Sequence, residues 1–353
     1  MKNKITIIVP VYKIQETFLR ECIESLLEQG RDDYKVILVD DGSPDSCGLI
    51  CDEYAGKSDI LEVIHQENLG VSAARNAAIK RVETEWLTFV DSDDWVEKDY
   101  VDTIYRHLTG DARQADIIAF DYIKEYRASS EIESLNVPEG YFDEEMSNEY
   151  LKGVFFRLDR TVFPNRYEPA VLWDKVYKTE FLRGNNIHFD LAAKKGQDRL
   201  LNSEAVSKAE RIYYIPLSLY HYRCFEASRT NRYDPKVPDL VTIELSGMQK
   251  VIEEKHLENV VSDAFDCYVS TRIYSCMRLA YFHRNNKAPY RERVQELKKL
   301  VEKPLFKNSL ENVRFDLLSI DEKIFVHCIK WKMYGLCSLL VKAKSGNFRR
   351  KLA

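Results

Sequence analysis

The first 122 residues alternate short apolar runs with stretches in which apolar residues recur at helical spacing. The runs at 5–9, 36–39, 61–64, 86–90 and 116–122 are apolar on both faces and read as buried strands. Between them, 16–28, 71–82 and 98–108 read as helices. In the first of these, Phe18, Leu19, Cys22, Ile23, Leu26 and Leu27 share one side. Ser43 followed by Pro44 predicts the cap and first position of a further helix. Strands of this kind interleaved with helices predict a doubly wound α/β fold, a mostly parallel, Rossmann-like sheet with helices on both faces. Ligands of such sheets bind at the carboxyl ends of the strands.

The unusual polar residues collect at those ends. Asp40 and Asp41 follow the second strand, Gln66 and Asn68 the third, and Asp91 and Asp93 the fourth, within FVDSDDWV. Carboxylates this close repel one another unless a cation lies between them. Carboxylate oxygens select Mg²⁺ or Mn²⁺, and two acids leave most of an octahedron to water and substrate phosphates. The Asp91-x-Asp93 pair at a strand tip therefore predicts a metal that bridges to a diphosphate.

Past residue 122 the periodicity weakens. Residues 123–170 are charged and aromatic, as in a substrate-facing lid. Order returns over 171–229, with a strand at 173–177, a short helix ending at Gly184, a helix near 197–206 and strands at 211–215 and 219–224. From 236 onward the spacing is helical, over 240–254, 257–284, 290–301 and 321–341. The pattern divides the chain into 1–230, made of an α/β half with a nucleotide-type site (1–122) and a second half with a substrate-facing lid (123–230), and a C-terminal helical region at 231–353.

Composition narrows the partners. The formal charge of -5, from 52 basic and 57 acidic residues, argues against nucleic acid. Eight cysteines form no C-x-x-C pair and read as reduced thiols. The apolar run at the start is too short for a signal peptide, and no run of about 18 apolar residues exists, so the expected location is cytoplasmic. Residues 323–353 reverse the overall charge, with eight Lys or Arg, no acid, and Phe325, Trp331 and Tyr334 among them. Such a helix lies on the inner face of an anionic membrane, as a peripheral contact, or packs on the core with a solvated basic face.

The succession IIVPVY, ILVDDGS, ENLGVSAARNAAI, FVDSDDW, WDKVY, the triplet GQD and YHYR spans about residues 4–230. In that order it resembles family 2 of the inverting nucleotide-sugar glycosyltransferases, whose fold is GT-A. The helical region is similar to the tails of members that build bacterial surface polysaccharide or capsule. The resemblance implies a UDP-sugar donor, with Pro10, Val11 and Tyr12 packed around the uracil and Asp41 accepting from its ring N–H, supported by Asp40. It places Asn68 and Arg75 on the nucleotide sugar, Arg75 at the diphosphate, Asp91 with Ser92 at the ribose, and Asp93 on Mn²⁺ or Mg²⁺. Trp173 would wall the sugar site and Lys175 would reach the phosphates or the acceptor. His221, Arg223 and Arg229 would close over the diphosphate, with His221 a candidate metal ligand.

The Glu-Asp pair that opens a helix in this family reads Gln197-Asp198 here, and Asp198 takes the position of the general base. The family's processive signature Q-x-x-R-W is absent, which implies one sugar per encounter with a glycan or undecaprenyl-diphosphate-linked acceptor. Two other readings remain. Gln197 admits a catalytically inactive nucleotide-sugar-binding relative. The stretch ILVDD resembles the acid pocket of phospho-acceptor receiver domains, although there the acids follow the first strand rather than the second.

Overall fold

A computed structural model of the chain describes residues 4–352 apart from 158, 160, 165, 166 and 225–231, with side chains described to residue 343. The chain forms two compact units, Met1–Val154 with Leu158–Arg223, and Phe155–Arg157 with Cys224–Ala353. The boundary drawn at 230, and Arg229, lie outside the described residues.

The first unit is built as the apolar runs dictate. Strand β1 (Ile5–Val11) is buried along its whole length. It pairs in parallel with β2 (Lys35–Asp40) on one side and β4 (Trp86–Phe89) on the other. Strand β3 (Leu61–His65) extends the sheet beyond β2, again in parallel. Helices α1 (Glu16–Leu27), α2 (Cys47–Ala55) and α3 (Val71–Arg81) make the crossovers. Three parallel strand ends, at Val11, Asp40 and Phe89, therefore open on the same edge of the sheet.

Further along come β5 (Trp95–Val96), α4 (Tyr100–Thr109), β6 (Ile117–Glu125), β7 (Ser130–Glu133), β8 (Gly140–Tyr141) and α5 (Glu144–Phe155). Then follow β9 (Lys175–Lys178), α6 (Thr179–Gly184), α7 (Gln197–Lys208) and β10 (Ile212–Arg223). The strand order is β3-β2-β1-β4-β9-β6-β10-β5, with β7 on β6 and β8 on β10. The sheet is mixed, because β9 inserts antiparallel between β4 and β6.

Two expectations change in detail. The helix foreseen at Ser43-Pro44 begins instead at Cys47, with Ser46 as its cap residue. The Ser43 N–H is drawn back to Asp40 Oδ1 at 2.9 Å, which makes a turn of that segment. The strands foreseen at 211–215 and 219–224 are one strand, β10, whose register against β6 slips between Ile215 and Ser218. Pro216 sits in the slip; lacking an N–H, it cannot donate to the ladder.

The second unit is helical: α8 (Val237–Lys255), α9 (Glu258–Cys276) continuing as a π-turn at Met277–Tyr281, α10 (Tyr290–Val301), α11 (Pro304–Asn312), α12 (Ile320–Lys330) and α13 (Tyr334–Leu352). The single helix foreseen over 321–341 is two, separated at Lys332, whose φ of 59° is left-handed and ends the first. Helix α11 was not visible in the pattern. Among the described residues no helix is long and apolar enough to cross a membrane.

Candidate active site

The carboxyl edge of the sheet begins with Asp40 and Asp41, both buried at the end of β2. Asp40 accepts from the Ser43 N–H and meets His65 Nδ1 at 3.0 Å. Burial alone would push its carboxyl up, but these partners hold it below the usual carboxylate range. Asp41 accepts from Gln66 Nε2 at 2.7 Å, Leu69 N at 3.0 Å and Gly70 N at 2.8 Å. A carboxylate offers about four lone-pair positions, so one remains for a further donor. The loop can approach this closely because residue 42 is glycine: with φ +65°, a Cβ there would stand 2.8 Å from Asn68 N.

Of the residues expected around a base, Pro10 and Val11 are buried inside β1. Tyr12, half-buried, follows the last residue of the strand. Asn68 is exposed and Ser92 is buried.

Arg75 organises the site. It lies on the buried face of α3 between Ala74 and Ala78, only 2% exposed, with its guanidinium near the rings of Phe89 and Phe189. One terminal nitrogen donates to Asp91 Oδ1 at 2.8 Å and the other to Asp198 Oδ1 at 2.7 Å. The expectation that Arg75 reaches a diphosphate is thus replaced, in this structure, by a bridge between two carboxylates 107 residues apart in sequence (198 − 91). Burial opposes the arginine's charge, yet the two carboxylates hold it firmly protonated.

Asp198 sits in the first turn of α7, behind Gly196 in the left-handed conformation. Burial pushes its carboxyl up, and the Arg75 charge works against that rise. Two neighbours fix the geometry. Asn76 grips the Phe189 backbone through both ends of its amide, at 2.8 and 2.9 Å. Buried Asn202 on α7 ties Tyr177 to the carbonyls of Ala170 and Val171. Gln197 Oε1 is buried and finds no partner among the described residues.

The third acid of FVDSDDWV has a structural role. Asp94 is 1% exposed, accepts from the Tyr220 hydroxyl at 2.6 Å and from the Arg223 N–H at 2.8 Å, and couples the β4 tip to β10. Burial, then the Asp93 and Asp91 charges, push its carboxyl well up. Asp93 remains half-buried at the edge, with its carbonyl accepting from Arg223 Nε at 2.8 Å.

Four expected contacts are placed elsewhere. Lys175 is fully buried, its Nζ 2.5 Å from Asp174 Oδ1 and 2.8 Å from the Val171 carbonyl, so it reaches neither phosphate nor acceptor. Burial pushes Asp174 up to about 6 and Lys175 down. Trp173 is sandwiched in the core, stacked on Tyr220 and Tyr222 with the edge of Tyr122 against it, rather than walling a pocket. Each ring nitrogen of His221 faces a carboxylate, Glu125 at 2.8 Å and Glu97 at 2.9 Å, which leaves no lone pair for a metal. Arg223 is held by Glu21, by the Asp93 carbonyl and by the rings of Phe18 and Trp95, not poised over an anion.

The buried Asp174–Lys175 pair gives a clear expectation. Lys175→Met leaves a carboxyl alone in the core and should cost about 3–5 kcal/mol. A lower denaturation midpoint with unchanged KM for the donor checks it; a raised KM would return Lys175 to the binding site.

Residues 6–164 match the family model described as Glycosyl transferase family 2. The glycosyltransferase GlyA of Streptococcus pneumoniae is 34% identical over 243 residues, 66% of this chain and 32% of that protein. The uncharacterized glycosyltransferase EpsJ of Bacillus subtilis is 33% identical over 221 residues, 62% of this chain and 60% of its own length. The chain thus spans less than two thirds of these relatives. Among solved structures, residues 1–349 of Staphylococcus aureus TarS in complex with UDP superpose with a TM-score of 0.64 at 18% identity, covering 98% of this chain and 92% of that one. A complex of the same TarS segment with UDP-GlcNAc superposes with a TM-score of 0.63. The parallel β3-β2-β1-β4 core, the acid-tipped strand ends and the family match agree: residues 6–164 match the Glycosyl transferase family 2 model, and the chain has a GT-A fold.

Proposed function

We propose that the chain transfers one sugar from a UDP-sugar to a glycan acceptor, with inversion, in the assembly of a bacterial surface polysaccharide. The observation that carries this reading is the Arg75 bridge, which joins a donor-side acid, Asp91, to an acid of raised pKa on another element, Asp198. Asp198 takes the proton of the acceptor hydroxyl as its oxygen bonds to the anomeric carbon, while the bond to the nucleoside diphosphate breaks on the opposite face. Tyr12 and the open lone pair of Asp41 face the base, and Asp91 faces the ribose. TarS, solved with UDP and with UDP-GlcNAc, supports a uridine nucleotide. Its description as a poly(ribitol-phosphate) beta-N-acetylglucosaminyltransferase supports a surface-polymer acceptor. The run of Lys and Arg beyond residue 323 supports a lipid-linked acceptor met at an anionic membrane surface.

The donor set at the β4 tip fits Mn²⁺ or Mg²⁺ of a particular kind. Among the described residues no three His, Cys, Asp or Glu converge to hold an ion. Asp91 is taken up by Arg75 and Asp94 by Tyr220 and Arg223, so Asp93 would be the protein's carboxylate for the metal, with substrate oxygens and water as its other ligands. When bound, such an ion offsets the charge of the departing diphosphate.

The test is a screen of nucleotide sugars with Mn²⁺, scored by UDP release. Asp93→Asn should abolish metal-dependent turnover while leaving the fold intact by circular dichroism. Wild-type turnover in EDTA would reject the metal, and binding of UDP without transfer to any acceptor would favour an inactive relative.

A further inference from the structure

The second unit carries a cleft that no step of sugar transfer uses. It holds about 870 Å³ of empty space, open to solvent, among α9, α12 and α13. Thr271 and Tyr274 form one wall, Ile324 and Phe325 the second, and Leu340 and Ala343 the third. Its enclosed volume is about 250 Å³, and its lining is mostly apolar. The acids at its border belong to the first turn of α12. Of these, Glu322 is taken up by the Ser319 N–H and hydroxyl and by Arg157.

The surroundings identify an occupant. Helices α12 and α13 and the turn between them expose Ile320 (75%), Trp331 (71%) and Leu339 (62%), far more than a solvated face requires. On the same two helices Lys330, Lys332 and Lys342 are exposed, and from 323 onward the sequence holds no acid. A surface with apolar tips and exposed cations complements an anionic lipid layer, and Trp331 is the residue type that settles at headgroup level. An apolar cleft on the same helices as such a surface is satisfied by a hydrocarbon chain and by little else that the layer offers.

We infer that this cleft takes one acyl chain of an anionic phospholipid, with the exposed lysines meeting its headgroup. The inference rests on the membrane-surface part of the reading above and deepens it: the helical unit binds a single lipid molecule as well as a charged plane.

The probe is lysophosphatidylglycerol below its critical micelle concentration, which presents one acyl chain and one anionic headgroup in solution. The full chain should bind it, with hydrogen-exchange protection confined to α9, α12 and α13, whereas glycerol 3-phosphate should not bind. Filling the cleft from opposite walls, with Thr271→Phe or Ala343→Trp, should weaken this binding at least tenfold without altering UDP-sugar hydrolysis. Lys330→Glu with Lys332→Glu should release the protein from phosphatidylglycerol vesicles at low salt. Preference for farnesyl phosphate over the lysolipid would overturn the phospholipid assignment in favour of an isoprenoid. Vesicle binding by the full chain with no lysolipid binding, or wild-type lysolipid affinity in both filled variants, would overturn the cleft inference and leave the charged surface standing. Lysolipid binding without vesicle binding would overturn the surface reading on which the inference rests.

Discussion

Replacing Asp198 with Asn lowers sugar transfer by about 10²–10⁴-fold, the usual contribution of a positioned general base, while leaving the affinity for UDP-sugar near its original value. The split follows from placement. The groups proposed to face the base, the ribose and the metal are Tyr12, Asp41, Asp91 and Asp93, whereas Asp198 opens α7. Asn keeps an oxygen for Arg75 to donate to, so the bridge and the fold survive. Burial raises the Asp198 pKa, and only the ionised form accepts a proton. The acid limb of the kcat/KM profile should therefore lie above the ordinary carboxylate range, with activity lost as pH falls through it. For stability the sign is opposite: the Asp198 contribution is full below the unfolded carboxylate pKa and is lost as pH rises through the raised folded value. Gln197→Glu places a second acid beside Asp198 and should move the limb further up. Normal transfer by Asp198→Asn would place the base elsewhere.

Much of this was legible in the sequence because the first half of the chain repeats one physical device. Strands buried on both faces must be apolar throughout, so 5–9, 36–39 and 86–90 stood out, and acids at their tips could only be solvated or functional. What stayed hidden depends on contacts distant in sequence. An apolar run reports burial and not direction, so nothing in 173–177 announced that β9 runs antiparallel between β4 and β6. The resemblance gives Trp173, Lys175 and His221 the roles of an aromatic wall, a cation for the phosphates or the acceptor, and a candidate metal ligand. Their neighbours Tyr220, Asp174, Glu97 and Glu125 consume those capacities. One signal was available. Arg75 interrupts the small-residue run Ala73-Ala74 and Ala77-Ala78, and a cation on such a helix face either meets solvent or has buried acids waiting for it.

Arg75→Met therefore has the second large expected effect, and it acts on two observables at once. Asp91 and Asp198, both half-buried, then face each other with no cation between them, each disfavouring the other's ionisation. Removing one partner of a buried ion pair costs about 3–5 kcal/mol, which appears as a lower denaturation midpoint. With Asp198 harder to ionise, transfer should fall at least a hundredfold, and the acid limb of the pH profile should move up rather than merely lose height. Arg75→Lys keeps the charge but reaches one carboxylate at a time, so it should recover more stability than activity. The double variant Arg75→Met with Asp198→Asn separates the roles: it removes the uncompensated charge and should regain stability over Arg75→Met alone, yet remain as inactive as Asp198→Asn. Such a coupling energy, measured as a double-mutant cycle, is what a contact at 2.7 Å demands. If the two substitutions add independently in both stability and rate, the bridge does not govern the base, and Arg75 is a core cation whose charge serves the fold alone.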